Sequence, residues 1–241
     1  MYFRKTTSGP VALAFTDRHG GVSRPPFDSF NLARVGADDV ADVRRNHDLL
    51  VADFAPEATW HGMHQVHGAD VGIAGPGAAA EDDAPACDAL VSDRTGVVLM
   101  VRVADCVPVL LADPDAGVIG AAHAGRPGVA AGVVPATVQA MRDLGAYDIS
   151  AWIGPHICGG CYEVPESMRA EVSAIEPTTH VTTSWGTPGL DIGAGVRAQL
   201  TREAVTWVSW EECTMESPDL YSYRRDGDAA GRLAGVIWRQ P

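Results

Sequence analysis

The chain of 241 residues predicts an α/β sandwich built around a mixed sheet, and three observations carry that expectation. Its middle holds four short apolar runs rich in β-branched residues. Helix-like stretches lie on both sides of them. Its 26 glycines and 16 prolines are spread along the length, with no repeat and no low-complexity linker. Scattered turn residues imply many short elements, and strands at the centre with helices around them imply packed layers. Residues 1–241 are therefore read as a single domain, long enough to bury a substantial core without staples.

The elements follow in order. Asp39–Leu50 reads as a helix. The stretch from Ala74 to Pro85 has Pro, Gly and acidic residues without periodicity and reads as a loop within the domain. Ala89–Val91, Val97–Val103, Val107–Ala112 and Val118–Ala122 read as strands, punctuated by Asp-Arg-Thr-Gly, Ala-Asp-Cys and Asp-Pro-Asp-Ala-Gly. They are apolar on both faces, as strands buried on both sides are. Val129 to Leu144 reads as one helix stopped by Gly145. Pro165–Ile175 and Gly193–Val205 are further helices, and Ala151–Ile153, Thr206–Val208 and Leu233–Trp238 further strands.

Charge excludes some functions. Lys+Arg number 18 and Asp+Glu 31, a net charge of −13. Such a surface repels phosphate backbones and anionic membranes, so neither nucleic acid nor a membrane is expected as partner. No apolar run approaches the roughly 18 residues of a membrane span. Met1 to Pro10 lacks the apolar region of a secretory leader, which points to the cytoplasm. Five cysteines, an odd number, argue for reduced thiols rather than a disulfide framework.

Three groups of residues could carry chemistry. His61, His64 and His67 recur every third position, which would put them on one face of a helix; Gly62 and Gly68 make a strand or turn an equal alternative, and His61 and His64 are read as ordinary core or surface groups. His67, Cys106 and His123 are the more pointed set. Cys106 follows one strand, and His123 ends another before the turn Ala124–Gly128. Ends of strands beside helix starts are where α/β proteins place ligands. Two imidazoles and a thiolate would form a three-ligand zinc site of the catalytic pattern, open at the fourth position. The same residues also fit a nucleophile Cys106 with His123 as base, oriented by Asp105 or Asp88. Cys158-Gly-Gly-Cys161 has metal or redox spacing, but a structural zinc would want a second such pair. No H-x-E or C-x-E precedes it, so the zinc nucleobase-deaminase signature fails. No H-x-H exists to support a blue-copper oxidase. Basic residues concentrate in Tyr221–Asp226 and at Arg232, and guanidinium forks suit phosphate or carboxylate. Arg18 lies in a glycine-containing turn whose backbone could approach a ligand.

Taken together, Phe15–Ser23, Ser29-Phe-Asn-Leu32, Gln65-Val-His-Gly68, Asp88-Ala-Leu-Val91, Ala104–Val109, Ala122-His-Ala-Gly125, Ile153-Gly-Pro155, Cys161-Tyr-Glu-Val164 and Tyr221–Asp226 resemble the YfiH-like laccase-domain family, over nearly the whole chain. Its members are also described as purine nucleoside phosphorylases. The resemblance implies a layered α/β sandwich similar to a toxin-like cysteine-hydrolase fold. It implies zinc on His67, Cys106 and His123. It implies phosphate-dependent cleavage of adenosine, inosine, guanosine and methylthioadenosine to base and ribose 1-phosphate, with adenosine deamination at the same site. The older polyphenol-oxidase label would imply copper, which the absent H-x-H does not support. Asp105 is expected as a general base or orienting group beside Cys106. Where the family continues H-A-G with Trp-Arg-Gly, this chain has Arg126-Pro127-Gly128, and its Asn-Arg pair reads Asn46-His47. Arg126 is accordingly the first candidate to hold phosphate, at the start of the helix after His123, with Arg225 second and Arg18 third. A cysteine hydrolase using Cys106 and His123, and a non-catalytic metal-binding relative, are the competing classes.

Overall fold

The computed structural model describes residues 1–34, 36–75, 77, 84–210 and 212–240. In chain order the elements are β1 (Tyr2–Ser8), β2 (Val11–Thr16), α1 (Val40–Phe54), β3 (Thr59–His61), β4 (Val71–Ile73), β5 (Ala89–Ser92), β6 (Val97–Val103), β7 (Val107–Asp113), β8 (Val118–Ala124), α2 (Arg126–Ala131), α3 (Val133–Asp143), β9 (Ser150–Ile153), α4 (Glu166–Ile175), β10 (His180–Thr182), β11 (Pro188–Leu190), α5 (Ile192–Arg202), β12 (Thr206–Ser209), α6 (Tyr223–Asp226) and β13 (Leu233–Arg239).

Two mixed sheets face each other where the sequence suggested one. The first runs β1-β2-β13-β6-β3, with only β3 and β6 parallel; the second runs β12-β9-β7-β8-β5-β4, parallel at its two edges. Side-chain alternation explains the layers. On β6, Val97, Leu99, Val101 and Val103 point toward the second sheet, where they meet Leu110 of β7 and Ile119 of β8. Val98 and Met100 point the other way, onto Leu50 and Phe54 of α1. The far face of the second sheet is covered by α3 and α5 through Val133, Val138, Met141, Val196 and Leu200. The order of layers is therefore helix, sheet, sheet, helices. Each fully buried Leu, Ile or Phe in them contributes about 1.5–3 kcal/mol.

The predicted helix Val129 to Leu144 is two helices. Gly132 takes φ +84° between them, a left-handed conformation that ends α2 and starts α3 in a new direction. Helix α1 starts on a side-chain cap, Asp39 accepting from the Ala41 N–H at 2.7 Å. Its buried Asn46 accepts the Val22 N–H and donates to Ser23 Oγ and to the Ser29 and Asn31 carbonyls, organising the loop before the helix. Of the loop expected over Ala74 to Pro85, residues 76 and 78–83 lie outside the described residues.

Candidate active site

The site forms where β6 and β8 end and β5 begins. After β3, the Gln65 side-chain amide imitates a strand neighbour: it accepts the Arg102 N–H at 2.9 Å and donates to the Arg102 carbonyl at 2.7 Å. The following backbone wraps a carboxylate. Asp88, just before β5 and fully buried, accepts the N–H groups of Val66, His67 and Gly68 at 3.1, 2.9 and 2.6 Å. This holds His67 at φ +61°, a conformation that side chains rarely adopt and that functional sites often retain. Asp88 also receives His123 twice. Its carbonyl accepts the His123 backbone N–H at 2.7 Å, and its Oδ1 takes ring Nδ1–H at 2.8 Å. With Nδ1 so occupied, His123 has Nε2 left for a ligand.

Cys106 enters from the turn between β6 and β7. His67 Nε2 lies 3.9 Å from its Sγ, and the two imidazole rings stand edge to face with centroids 4.8 Å apart. The ligand-type atoms of His67, Cys106 and His123 all lie within 4.8 Å of one another. A Cβ on Gly125 would fall 2.8 Å from the His67 ring and 3.1 Å from Cys106 Sγ, so this glycine keeps open the space the three side chains face. A carboxylate-held histidine, a second imidazole and a thiolate around such a space fit a zinc ion. Burial pushes the Cys106 thiol up, but His123 and His67 outweigh it and bring it down to about 6. Burial lowers His123, yet Asp88 and Cys106 raise it to about 9. Each group thus favours the charged form of the other.

Asp105 precedes Cys106 at φ +88°. Its carboxylate does not orient a histidine; Oδ1 accepts from Thr214 Oγ1 at 2.6 Å and Oδ2 from the Arg224 N–H at 2.5 Å. The orienting role falls to Asp88, the other residue the thiol reading had named. Asp105 lines a cavity of about 740 Å³ together with the three zinc-type side chains, a size in the usual range of ligand pockets. Five arginines also line it: Arg34, Arg102, Arg126, Arg224 and Arg232. Tyr162 stands in the wall, with the Arg224 guanidinium 5.1 Å from its ring centroid. Arg34 Nη1 is buried without a hydrogen-bond partner among the described residues, an orphan donor in a cavity wall.

The anion candidates separate. Arg126 is in the cavity, on α2. That helix has only six residues, so it adds little of the dipole expected from a long one. Arg225 is elsewhere: its guanidinium donates to the carbonyls of Thr214, Met215, Ser217 and Leu220 and pairs with Asp226. Arg18 donates to the Asp28 carbonyl and lies over the Tyr221 ring. Neither lines the cavity. His61, His64 and His67 share no helix; His61 ends β3 in the core, and His64 pairs by its backbone with Ala86. Sequence reasoning missed Arg34 and Tyr162. Their signals were position alone, Arg34 two residues beyond the Ser29–Leu32 marker and Tyr162 inside Cys161–Val164.

The chain matches the family model described as multi-copper polyphenol oxidoreductase laccase over residues 12–240. It is 49% identical to a purine nucleoside phosphorylase of Streptomyces coelicolor, covering 99% of each chain. It is 50% identical to one of Streptomyces griseus, covering 96% of this chain and 95% of that one. Among solved structures it is similar to YlmD from Geobacillus stearothermophilus, with TM-score 0.86 and 30% identity over 100% of this chain and 99% of that one. It is also similar to YfiH of Bacillus licheniformis, with TM-score 0.88 and 27% identity over 99% and 100%.

Proposed function

Because the chain belongs to the multi-copper polyphenol oxidoreductase laccase family, several of whose relatives are named purine nucleoside phosphorylases, we propose that it is a zinc-dependent purine nucleoside phosphorylase. Adenosine, inosine, guanosine and methylthioadenosine are its substrates, split by phosphate into free base and ribose 1-phosphate, and adenosine is also deaminated. The observation that carries this reading is one cavity joining a His–Cys–His cluster to five arginines in a chain of net charge −13. The whole molecule repels a phosphate dianion, so local cations must hold it.

His67, Cys106 and His123 would hold zinc, which when bound supplies Lewis-acid polarisation of an oxygen. Asp88 fixes the His123 ring so that Nε2 faces Cys106. Arg126 and the orphan Nη1 of Arg34 hold the phosphate against the sugar. Tyr162 gives the purine an apolar face. Asp105, steadied by Thr214 and the Arg224 N–H, passes a proton between its carboxylate and the purine. Incubation of the protein with adenosine, with and without phosphate, resolves the activities. Adenine and ribose 1-phosphate should form only with phosphate, and inosine without it. No turnover of any purine nucleoside would reject the reading.

A second reading has its own observation. Asp88, His123 and Cys106 are aligned as orienter, base and nucleophile, with the thiol lowered to about 6. A cysteine hydrolase of this kind has no need of His67 at 3.9 Å from the thiol. It would survive chelation and be stopped by iodoacetamide, whereas the metal reading predicts loss of activity on chelation.

A further inference from the structure

A second group of metal-type side chains lies outside this site. Cys158, Cys161, Cys213 and Glu216 each place one ligand-type atom within 4.8 Å of all the others. Four donors about 2.3 Å from a central zinc would lie about 3.8 Å apart, inside that limit. All five cysteines are free thiols.

Two short turns create the group. In the first, the Cys161 and Tyr162 N–H groups both donate to the Cys158 carbonyl, at 3.0 and 3.1 Å, folding Cys161 back beside Cys158. Gly159 permits this, since a Cβ there would press to 2.8 Å against Asp191. In the second, the Glu216 and Ser217 N–H groups donate to the Cys213 carbonyl at 3.2 and 2.9 Å, folding Glu216 back beside Cys213. The turns are joined: His156 and Cys213 form a parallel bridge, and the Cys158 N–H donates to Cys213 Sγ at 3.4 Å. The partner pair that Cys158-x-x-Cys161 lacks in the sequence is therefore Cys213-x-x-Glu216, with the same spacing and a carboxylate in place of the fourth thiolate. Backbone N–H donation to a ligand sulfur is the outer support that metal-bound thiolates normally have.

We propose that Cys158, Cys161, Cys213 and Glu216 bind a second zinc ion, a four-ligand structural site distinct from the His67–Cys106–His123 cluster. Three thiolates and one carboxylate suit zinc among the divalent ions and exclude the oxygen-preferring magnesium and calcium. With four protein ligands the site holds no open position for substrate. Its place gives it a task. The first turn carries Tyr162 of the cavity wall; the second carries Thr214, whose hydroxyl bonds Asp105. The ion would tie both segments, more than fifty residues apart in sequence, behind the catalytic cavity.

The test is metal content of the untagged full chain with zinc as probe, on protein whose circular dichroism shows it folded. The wild type should retain two zinc ions per chain and Cys106→Ala one. Adding Cys213→Ser to Cys106→Ala should leave none. Cobalt in Cys106→Ala should give the near-ultraviolet sulfur-to-metal absorption of a thiolate-rich tetrahedral site. Glu216→Gln should keep that absorption and weaken binding roughly tenfold or more. Where the double variant does not fold, the cobalt spectrum of Cys106→Ala decides. Folded Cys106→Ala that takes up no zinc, a cobalt form without thiolate absorption, or zinc kept after loss of Cys213 would overturn the proposal. So would a Cys158–Cys161 disulfide in protein alkylated at lysis. Failure of the first site instead reads as a zinc content that Cys106→Ala does not change.

Discussion

Asp88 is the residue on which most of the site depends. Its carboxylate receives three consecutive backbone N–H groups and one imidazole, so it sets both the path of the His67 loop and the tautomer of His123. Asp88→Asn keeps the shape but puts an N–H where an acceptor is needed. Zinc affinity at the His–Cys–His site should fall roughly 10–100-fold, the usual effect of removing the group behind a metal-bound histidine; competition with a chromogenic chelator measures it. Arg126→Ala should raise the phosphate requirement of nucleoside cleavage sharply while zinc content stays unchanged. An unaltered phosphate affinity would place the anion on Arg34 and the other cavity arginines. Cys106 has a pH signature of its own. In metal-free protein its thiol ionises near 6, so alkylation by iodoacetamide should already be fast at pH 7 and should slow as pH falls below 6. Zinc should protect it at both.

At the scale of elements, Gly132 is the sharpest test. Its φ of +84° separates α2, which carries Arg126, from α3, which packs on the second sheet. Gly132→Ala should destabilise the fold by about 1–2 kcal/mol, the cost of a left-handed non-glycine residue, read from the urea midpoint. This break also shows why sequence reading stopped where it did. Val129 to Leu144 keeps apolar periodicity through Gly132, and that pattern masked the local break signals, Gly132 and Pro135 in the first turn of α3. The central strands were legible because they are buried on both faces and so carry near-continuous apolar runs. By contrast β1, with Arg4, Lys5 and alternating exposure, and three-residue β3, β4, β10 and β11 carry too little apolar pattern to stand out. The trio His67, Cys106 and His123 could be listed from strand ends, yet only pairing of β5 with β8 brings Asp88 under His123. Arg225 had the composition of an anion ligand, but four carbonyls of its own neighbourhood had already claimed it.

Across the whole molecule, the cavity's charge and the chain's charge are opposed: five arginines line the cavity inside a chain of net charge −13. None of the described helices is long and apolar enough to cross a membrane. Acid stability should depend on buried carboxylates such as Asp113. Burial raises its pKa, but N–H donation from Ala116, Tyr147, Asp148 and Asp115 more than reverses that, so the folded value is depressed. Its contribution is therefore complete above the unfolded value of about 3.9 and is lost as pH falls through the lower folded value. Asp113→Asn should cost about 1–3 kcal/mol at pH 7, and the cost should shrink as pH falls below the unfolded carboxylate value, followed by urea unfolding across that range. The central claim joins metal, phosphate and nucleoside in one cavity, and one measurement addresses all three: ribose 1-phosphate formed from inosine by the wild type and by Cys106→Ala, with zinc content determined on the same samples. The wild type should form ribose 1-phosphate in proportion to phosphate, and Cys106→Ala should lose both the product and one zinc ion. Undiminished product from folded Cys106→Ala, or inosine left intact by zinc-loaded wild type with phosphate present, would contradict it.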